Sequence, residues 1–423
     1  MDPRLISITV FILAYLFFVL LPNKRSLTAA VGASLLILTG VIPLNKVITS
    51  INWNVMGIFV GMLFVADIFM KSRVPAFIAE VFVNNSKNTA WAILFICALA
   101  GFISAFVENV ATVLIIAPIA LSLARKLKIS PVNMMIAIAV SSNLQGTATL
   151  IGDPPSMLLA GFAKMNFMDF IIYKGKPGIF FAVELGGILS FIVLYMFFRK
   201  HKERVKLVSV EKINSWIPTI MLVILIMALA ISSFWDTGFS YLAGIICMIF
   251  GILSLIWDKF VNKAALFQSI KSVDWDTTIF LIGIFIIIGS LTLTGWIDTI
   301  STSLSSIVGD RLFFGYTIIV VFSVIISGFV DNVPFLATML PVAISMSSKL
   351  NIDPSLFLFG LLIGASLGGN ITPIGASANI VACGLLKKEG YKVTFGDFMK
   401  IGLPFTIAAV FAGYLFIWFV WGK

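Results

Sequence analysis

Two acid–amide pairs interrupt otherwise apolar sequence, Glu108–Asn109 and Asp331–Asn332. A carboxylate inside an apolar run is costly and is by default a functional residue. Each acid can bind a cation or carry a proton, because an acid withdrawn from water holds its proton more readily. Glu108 and Asp331 are therefore the candidate proton carriers. An asparagine offers its amide N–H groups to an anion and its carbonyl to a cation, so Asn109 and Asn332 do not choose between them. Thr112, one helical turn beyond Glu108, adds a hydroxyl, whereas Phe335 stands at the matching place in the second pair. The bland alternative is a water-exposed turn between two full spans, and the recurrence of the pair argues against it.

A second pattern also occurs twice. Ser141–Ser142–Asn143 precedes Gly146, Thr147 and Thr149, then Gly152–Asp153–Pro154–Pro155–Ser156. Later in the chain Ser366 precedes Gly368, Gly369 and Asn370, then Thr372–Pro373, Gly375, Ser377 and Asn379. Glycine admits positive φ, and proline removes a donor and ends a helix. Each cluster therefore breaks a helix in mid-membrane. The freed carbonyls of the first piece suit a cation, and the free N–H groups that open the second piece suit an anion. Asn109, Asn143, Asn332 and Asn370 mark where sodium would sit; no other metal or cofactor is indicated. Asp153 reads either as a helix N-cap or as a titrating group, and Ala376 is its mate. Asp67 is a weaker candidate. The only histidine, His201, falls in a basic linker.

The elements that must position these residues are membrane spans. Of 423 residues, 60% are hydrophobic and 11% charged, against about a quarter charged in a soluble domain. Apolar stretches long enough to cross a bilayer lie near 4–22, 27–44, 53–70, 176–198, 216–234, 239–257, 276–294 and 400–421. The first has no cleavage site behind it and reads as a span. Continuous rather than alternating apolar runs exclude a β-barrel. The net charge of +10 comes from short loops and is not a nucleic-acid signature. Cys97, Cys247 and Cys383 show no metal or disulfide spacing.

The two patterns recur because the chain is a duplication. Residues 102–131 align without gaps to 325–354, an offset of 223, with 13 of 30 positions identical. GTATLIGDPPSMLLAG (146–161) falls on GNITPIGASANIVACG (369–384) in the same register. This gives repeats over 1–198 and 216–423 joined by a basic linker, 199–215. If 90–124 and 312–348 are re-entrant hairpins, and 132–162 and 355–386 are broken helices, each half crosses five times. The halves are then inverted. With that topology 21 of the 29 basic residues fall on one face. The positive-inside rule makes that face, with the linker, cytoplasmic and places both termini outside. The expected fold is an all-α polytopic protein of the plasma (inner) membrane with two inverted repeats. Six crossings per half, giving parallel repeats, is the alternative.

At these residues the sequence resembles the ion transporter superfamily of ArsB-type arsenite pumps, NhaD-type sodium/proton antiporters and the pigment-cell P-protein, and distantly the divalent anion/sodium symporters. GTATLIGDPPSMLLAG carries most of the likeness. The resemblance implies a scaffold, a mobile transport domain moving as an elevator, and a homodimer. In the symporters the tips carry Ser-Asn-Thr motifs; here Glu108-Asn109-Val110 and Asp331-Asn332-Val333 replace them. Neither motif contains a basic residue to neutralise a dianion. The preferred expectation is therefore proton-coupled antiport exporting arsenite or a similar oxyanion. Sodium/proton exchange, sodium-coupled carboxylate transport and an ion channel are the alternatives. No HExxH or GxxxxGK[ST] motif points to an enzyme or an ATP-driven pump.

Overall fold

The computed structural model describes residues 2–21, 24–203, 211–236, 238–263, 265–309 and 311–422. Part of the expected linker, 204–210, lies outside the described residues. In the first half, α1 (Pro3–Leu20), α2 (Arg25–Leu38), a short α3 (Leu44–Ser50) and α4 (Trp53–Lys71) are followed by α5 (Val74–Asn85). Next come a helical hairpin, α6 (Thr89–Ser104) and α7 (Asn109–Leu127), and a broken helix, α8 (Val132–Gly146) and α9 (Pro154–Ala163). A two-stranded antiparallel ribbon, Ile172–Tyr173 with Lys176–Pro177, leads into α10 (Ile179–Phe198).

The second half repeats this series helix for helix. It comprises α11 (Ile217–Ser232), α12 (Leu242–Val261), α13 (Leu266–Ser272), α14 (Trp275–Leu293) and α15 (Trp296–Val308). Then follow the hairpin α16 (Leu312–Ser327) and α17 (Asn332–Lys349), the broken helix α18 (Ser355–Gly368) and α19 (Ser377–Lys388), and α20 (Phe395–Trp421). Among the described residues, seven helices are long and apolar enough to cross a membrane: α1, α4, α7, α10, α12, α14 and α20.

Hydrogen bonds between chain ends fix which ends share a face. On the first face Lys71 Nζ meets Asp258 at 2.9 Å, the Asn214 N–H donates to the Ser72 carbonyl at 3.0 Å, and the Thr89 N–H donates to the Glu203 carbonyl at 2.8 Å. On the second face Trp296 Nε1 donates to the Arg4 carbonyl (2.8 Å), Asn54 Nδ2 to the Phe239 carbonyl (3.2 Å) and Trp421 Nε1 to the Pro177 carbonyl (3.2 Å). Thus α4 and α10 end on the first face, whereas their mates α14 and α20 end on the second. The repeats are inverted.

Both hairpins are re-entrant. The first has both ends on the first face, Thr89 against Glu203 and Arg125 paired with Glu389 just before α20. The second has both on the opposite face, Phe313 against Trp418 (ring centroids 4.7 Å apart) and Lys349 donating to the Asp298 carbonyl at 2.8 Å. Each half crosses five times, and the six-crossing alternative does not describe the chain. The short α3, α5, α13 and α15 were not among the expected spans. With 7, 12, 7 and 13 residues they fall well under the ~20 that crossing needs.

Two packed bodies result. In one, α4 packs along α12 and α2 along α14. Glycines set this contact: Gly57 faces Gly244, and a Cβ on Gly61 would overlap the Cys247 carbonyl. The repeat mate Gly283 would bring a Cβ within 2.8 Å of the Ala29 backbone. Small residues that let backbones approach are the usual device for helix association in lipid. In the other body α6 packs on α8, α16 on α18 and α10 on α20.

Gly61→Ala is expected to lower stability by about 1–3 kcal/mol through overpacking against backbone that cannot move aside. Gly384→Ala, where nothing lies within 4 Å of the added Cβ, serves as the control. Melting temperatures of the two purified variants in one detergent check this, and equal melting would refute the glycine contact.

Candidate functional site

Each break is stitched to the hairpin tip of its own half, and the stitch is the same in both. Thr149 donates its hydroxyl to the Ala105 carbonyl; its mate Thr372 donates to the Gly328 carbonyl at 2.5 Å. Gly152 lies so close to its tip that a Cβ would come within 2.9 Å of the Ser104 carbonyl, and Gly375 shows the same 2.9 Å to the Ser327 carbonyl. Gly369 packs against Gly375, with 2.6 Å between a built Cβ and its carbonyl, while a Cβ on Gly146 would strike the Asn109 amide. These residues hold the interruptions together; only backbone and glycine fit there.

The side chains of the breaks then form one buried amide ladder across both halves. Ser104 Oγ donates to Asn109 Oδ1 (2.6 Å), and Asn109 Nδ2 donates to Asn143 Oδ1 (3.3 Å). Asn143 Nδ2 lies 2.8 Å from both Asn370 Oδ1 and Asn379 Oδ1. Asn379 Nδ2 in turn donates to the carbonyls of Gly369 and Thr372, at 2.9 Å each. Ser142, next to Asn143, donates to Ser104 Oγ at 2.9 Å. Asp153 caps α9 through the Ser156 N–H at 3.0 Å, with the Thr147 hydroxyl 3.5 Å away. The second half has Ala376 as its cap instead.

The halves are not equivalent in the remaining positions. Asn332 makes no side-chain hydrogen bond among the described residues, and the buried Ser366 hydroxyl has no partner. Thr112 is buried and bonds back to the Val107 carbonyl at 3.4 Å, within its own hairpin. Ser377 lines a cleft described below. Asp67 belongs elsewhere: it pairs with Lys71 at 2.8 Å, which also pairs with Asp258. His201 contributes its carbonyl to the Ala90 N–H.

The two tip acids differ sharply. Glu108 precedes α7 without capping it and makes no ion pair among the described residues. Asp331 caps α17 through the Val333 N–H (3.0 Å) and meets Arg25 Nη1 at 2.7 Å. Arg25 also donates to Thr277 (2.8 Å), stands 3.8 Å from Asp276 and lies over the Phe280 ring at 5.4 Å. Tyr15 on α1 donates to the Pro334 carbonyl and is 2.5 Å from the Thr338 hydroxyl. A cleft of about 400 Å³ opens here, lined by Arg25, Asp274, Asp276, Asp331 and Ser377.

Arg25 is the residue the sequence reading missed. The hairpin motifs contain no base, but this one comes from α2, 306 positions away. An arginine at the start of a span looks like an ordinary interfacial anchor, so nothing in the sequence singled it out.

The comparisons with known proteins agree with this architecture. An uncharacterized transporter of Mycobacterium bovis is 26% identical, over 98% of this chain and 97% of its own. A 46 kDa membrane protein of Mycobacterium leprae is 27% identical over 98% of each. The P protein of Mus musculus is 24% identical over 93% of this chain but 57% of its own length. In fold, the chain is similar to the Alcanivorax borkumensis YdaH transporter, with a TM-score of 0.60 at 13% identity, covering 88% of this chain and 87% of that one. The family described as "Citrate transporter" (CitMHS) matches residues 15–348 and 255–423. With both repeats matched, the chain is a polytopic membrane transporter and belongs to the CitMHS family.

Proposed function

We propose that this transporter is a proton-coupled, elevator-type antiporter of the plasma membrane that exports arsenite or a similar small oxyanion or metalloid. One observation carries this reading: the ion pair Arg25–Asp331 ties the hairpin tip of one body to the other body. The elevator movement slides the hairpin–broken-helix body against the scaffold, and that slide separates Arg25 from Asp331. In this proposal a proton takes the place of Arg25 as the partner of Asp331 when the pair parts. Proton binding and movement are thereby linked. Glu108, which has no ion-pair partner among the described residues, carries the proton in the other half.

The substrate class follows from the charge available. The ladder of Asn109, Asn143, Asn370 and Asn379 is neutral and offers donors and acceptors together. Arsenite at neutral pH is an uncharged trihydroxy species, and hydroxyls suit amides. A citrate-like anion needs positive charge, and the one base lining the cleft, Arg25, is held by Asp331. The second reading, carboxylate transport with sodium at the asparagines, is favoured by the family's description. A homodimer with external termini and a cytoplasmic linker completes the proposal.

The test is proton flux in proteoliposomes with a trapped pH dye, adding arsenite, citrate, sodium, lithium and potassium in turn. An arsenite-driven pH change, lost in Glu108→Gln, is the expected result. A sodium-dependent citrate flux with no pH change would replace this reading with the second one.

The latch makes its own prediction. Arg25→Met strands Asp331 without a partner and is expected to slow transport at least tenfold, about 1.4 kcal/mol. Adding Asp331→Asn removes the stranded charge and is expected to recover part of that loss. The double-mutant cycle measures the coupling; additive effects of the two changes would rule out the latch.

A further inference from the structure

The substrate site leaves unused the carboxyl of Glu184, in the first third of α10. It lines a separate cleft of about 380 Å³ between α6, α8 and α10, with Cys97, Ser141 and Gln145 as its other polar groups and Phe102 and Phe191 among its apolar walls. Glu184 forms no ion pair among the described residues. The Gln145 side chain is its polar neighbour in that cleft.

Gln145 occupies a slot built for it. A Cβ on Gly101 of α6 would lie 2.9 Å from Gln145 Cγ, and one on Gly187 of α10 would lie 2.8 Å from Gln145 Nε2. Two glycines on two helices thus leave room for one side chain, and that side chain shares the cleft with the carboxyl. Gln145 is also the penultimate residue of α8, directly before Gly146. Its carbonyl accepts the Ala148 N–H at 2.9 Å, the first turn of the break. Gln145 therefore stands where α8 gives way to the break.

The geometry points to a second proton-binding site at Glu184, outside the substrate site, which acts on the α8 break through Gln145. An acid without a counter-ion in apolar surroundings sheds its charge by binding a proton. As a carboxylate Glu184 only accepts, and it can take the Gln145 N–H. As an acid it also donates, and it can turn Gln145 to present its carbonyl oxygen instead. The elements packed against α10 are α6, α8 and α20. Of their titratable groups the Cys97 thiol alone lines the cleft, and Phe405 is the contribution of α20. The charged groups at the start of α20, Asp397 and Lys400, pair with each other at 3.3 Å and lie outside the lining. Glu184 is a positioning residue here; it rests on the transporter assignment and not on arsenite or on Glu108.

The experiment uses the full chain in proteoliposomes and needs no substrate. Dicyclohexylcarbodiimide enters lipid and modifies carboxyls in the protonated form. It is applied from about pH 5 to about pH 9, and modification at Glu184 is quantified by mass spectrometry. Labelling is expected at acid pH and should fall about tenfold per pH unit once the carboxylate dominates. Hydrogen exchange of the backbone amides over 145–153 is followed across the same range. Protection, taken relative to the intrinsic base-catalysed exchange rate at each pH, should change with pH in the wild type and in Glu108→Gln, and become flat in Glu184→Gln, which can still hydrogen-bond Gln145 but cannot titrate. Absent or pH-independent labelling of the wild type overturns the site, whether or not the variant folds. Identical exchange profiles in wild type and Glu184→Gln leave only a structural hydrogen bond and overturn the coupling to the break.

Discussion

The structure depends on one constraint: backbone that leaves helical geometry inside a membrane must find its hydrogen bonds within the protein. Two helices stop midway here, at Gly146 and at Gly368. Their loose ends are covered by hairpin tips that enter from opposite faces. The match is close enough that the same threonine, the same tip carbonyl and the same glycine recur at both places, Thr149–Ala105 with Gly152 and Thr372–Gly328 with Gly375. A hairpin without its broken helix leaves tip carbonyls bare, and a broken helix without its hairpin leaves the break bare. Hairpin and broken helix are therefore packed as one unit in each half.

Duplication explains why this constraint is met twice, and divergence explains how a symmetric frame acquires a direction. The stitches are conserved between the halves because backbone geometry dictates them. The side chains above the stitches are freer. Asn143 is matched by Ser366, Thr147 by Asn370, Asp153 by Ala376 and Thr112 by Phe335. The ladder is thus assembled from unlike positions: Asn109 and Asn143 come from one half, Asn370 and Asn379 from the other. The largest departure lies outside the repeats' shared motifs, where Arg25 reaches Asp331 and leaves Glu108 without an equivalent ion pair.

What the sequence revealed follows the same division. Periodicity, Gly/Pro clusters and the repeat register are set by backbone and lipid, so spans, breaks, hairpin tips and inversion were legible. Asn109, Asn143, Asn370 and Asn379 were legible too, because polar residues beside a break have few other places to go. Arg25 was not, since its partner is fixed by how two bodies dock rather than by anything local. Nor was the role of Thr149, Thr372, Gly152 and Gly375 as stitching, because a site residue and a residue that supports one look alike without coordinates. The short helices α5 and α15 escaped for another reason: 12 and 13 residues are too few to register as spans, yet they pack on the hairpins α6–α7 and α17.

The asymmetry between the two tips also bears on how tightly movement can be coupled to a proton. A free acid at both tips would let either half be protonated independently, and the carrier would gain nothing from binding one proton rather than the other. Arg25 comes from α2 and Asp331 from the second hairpin, so in the proposed movement the pair would form in one docking and part in another. A ligand shifts such an equilibrium only by its differential affinity for the two states. The hydrogen bonds of Arg25 to Thr277 and of Tyr15 to Thr338 flank the pair and fix its geometry on the scaffold and hairpin sides respectively. In the proposed mechanism coupling belongs to the interface between the bodies, and recognition to the amide ladder inside one of them.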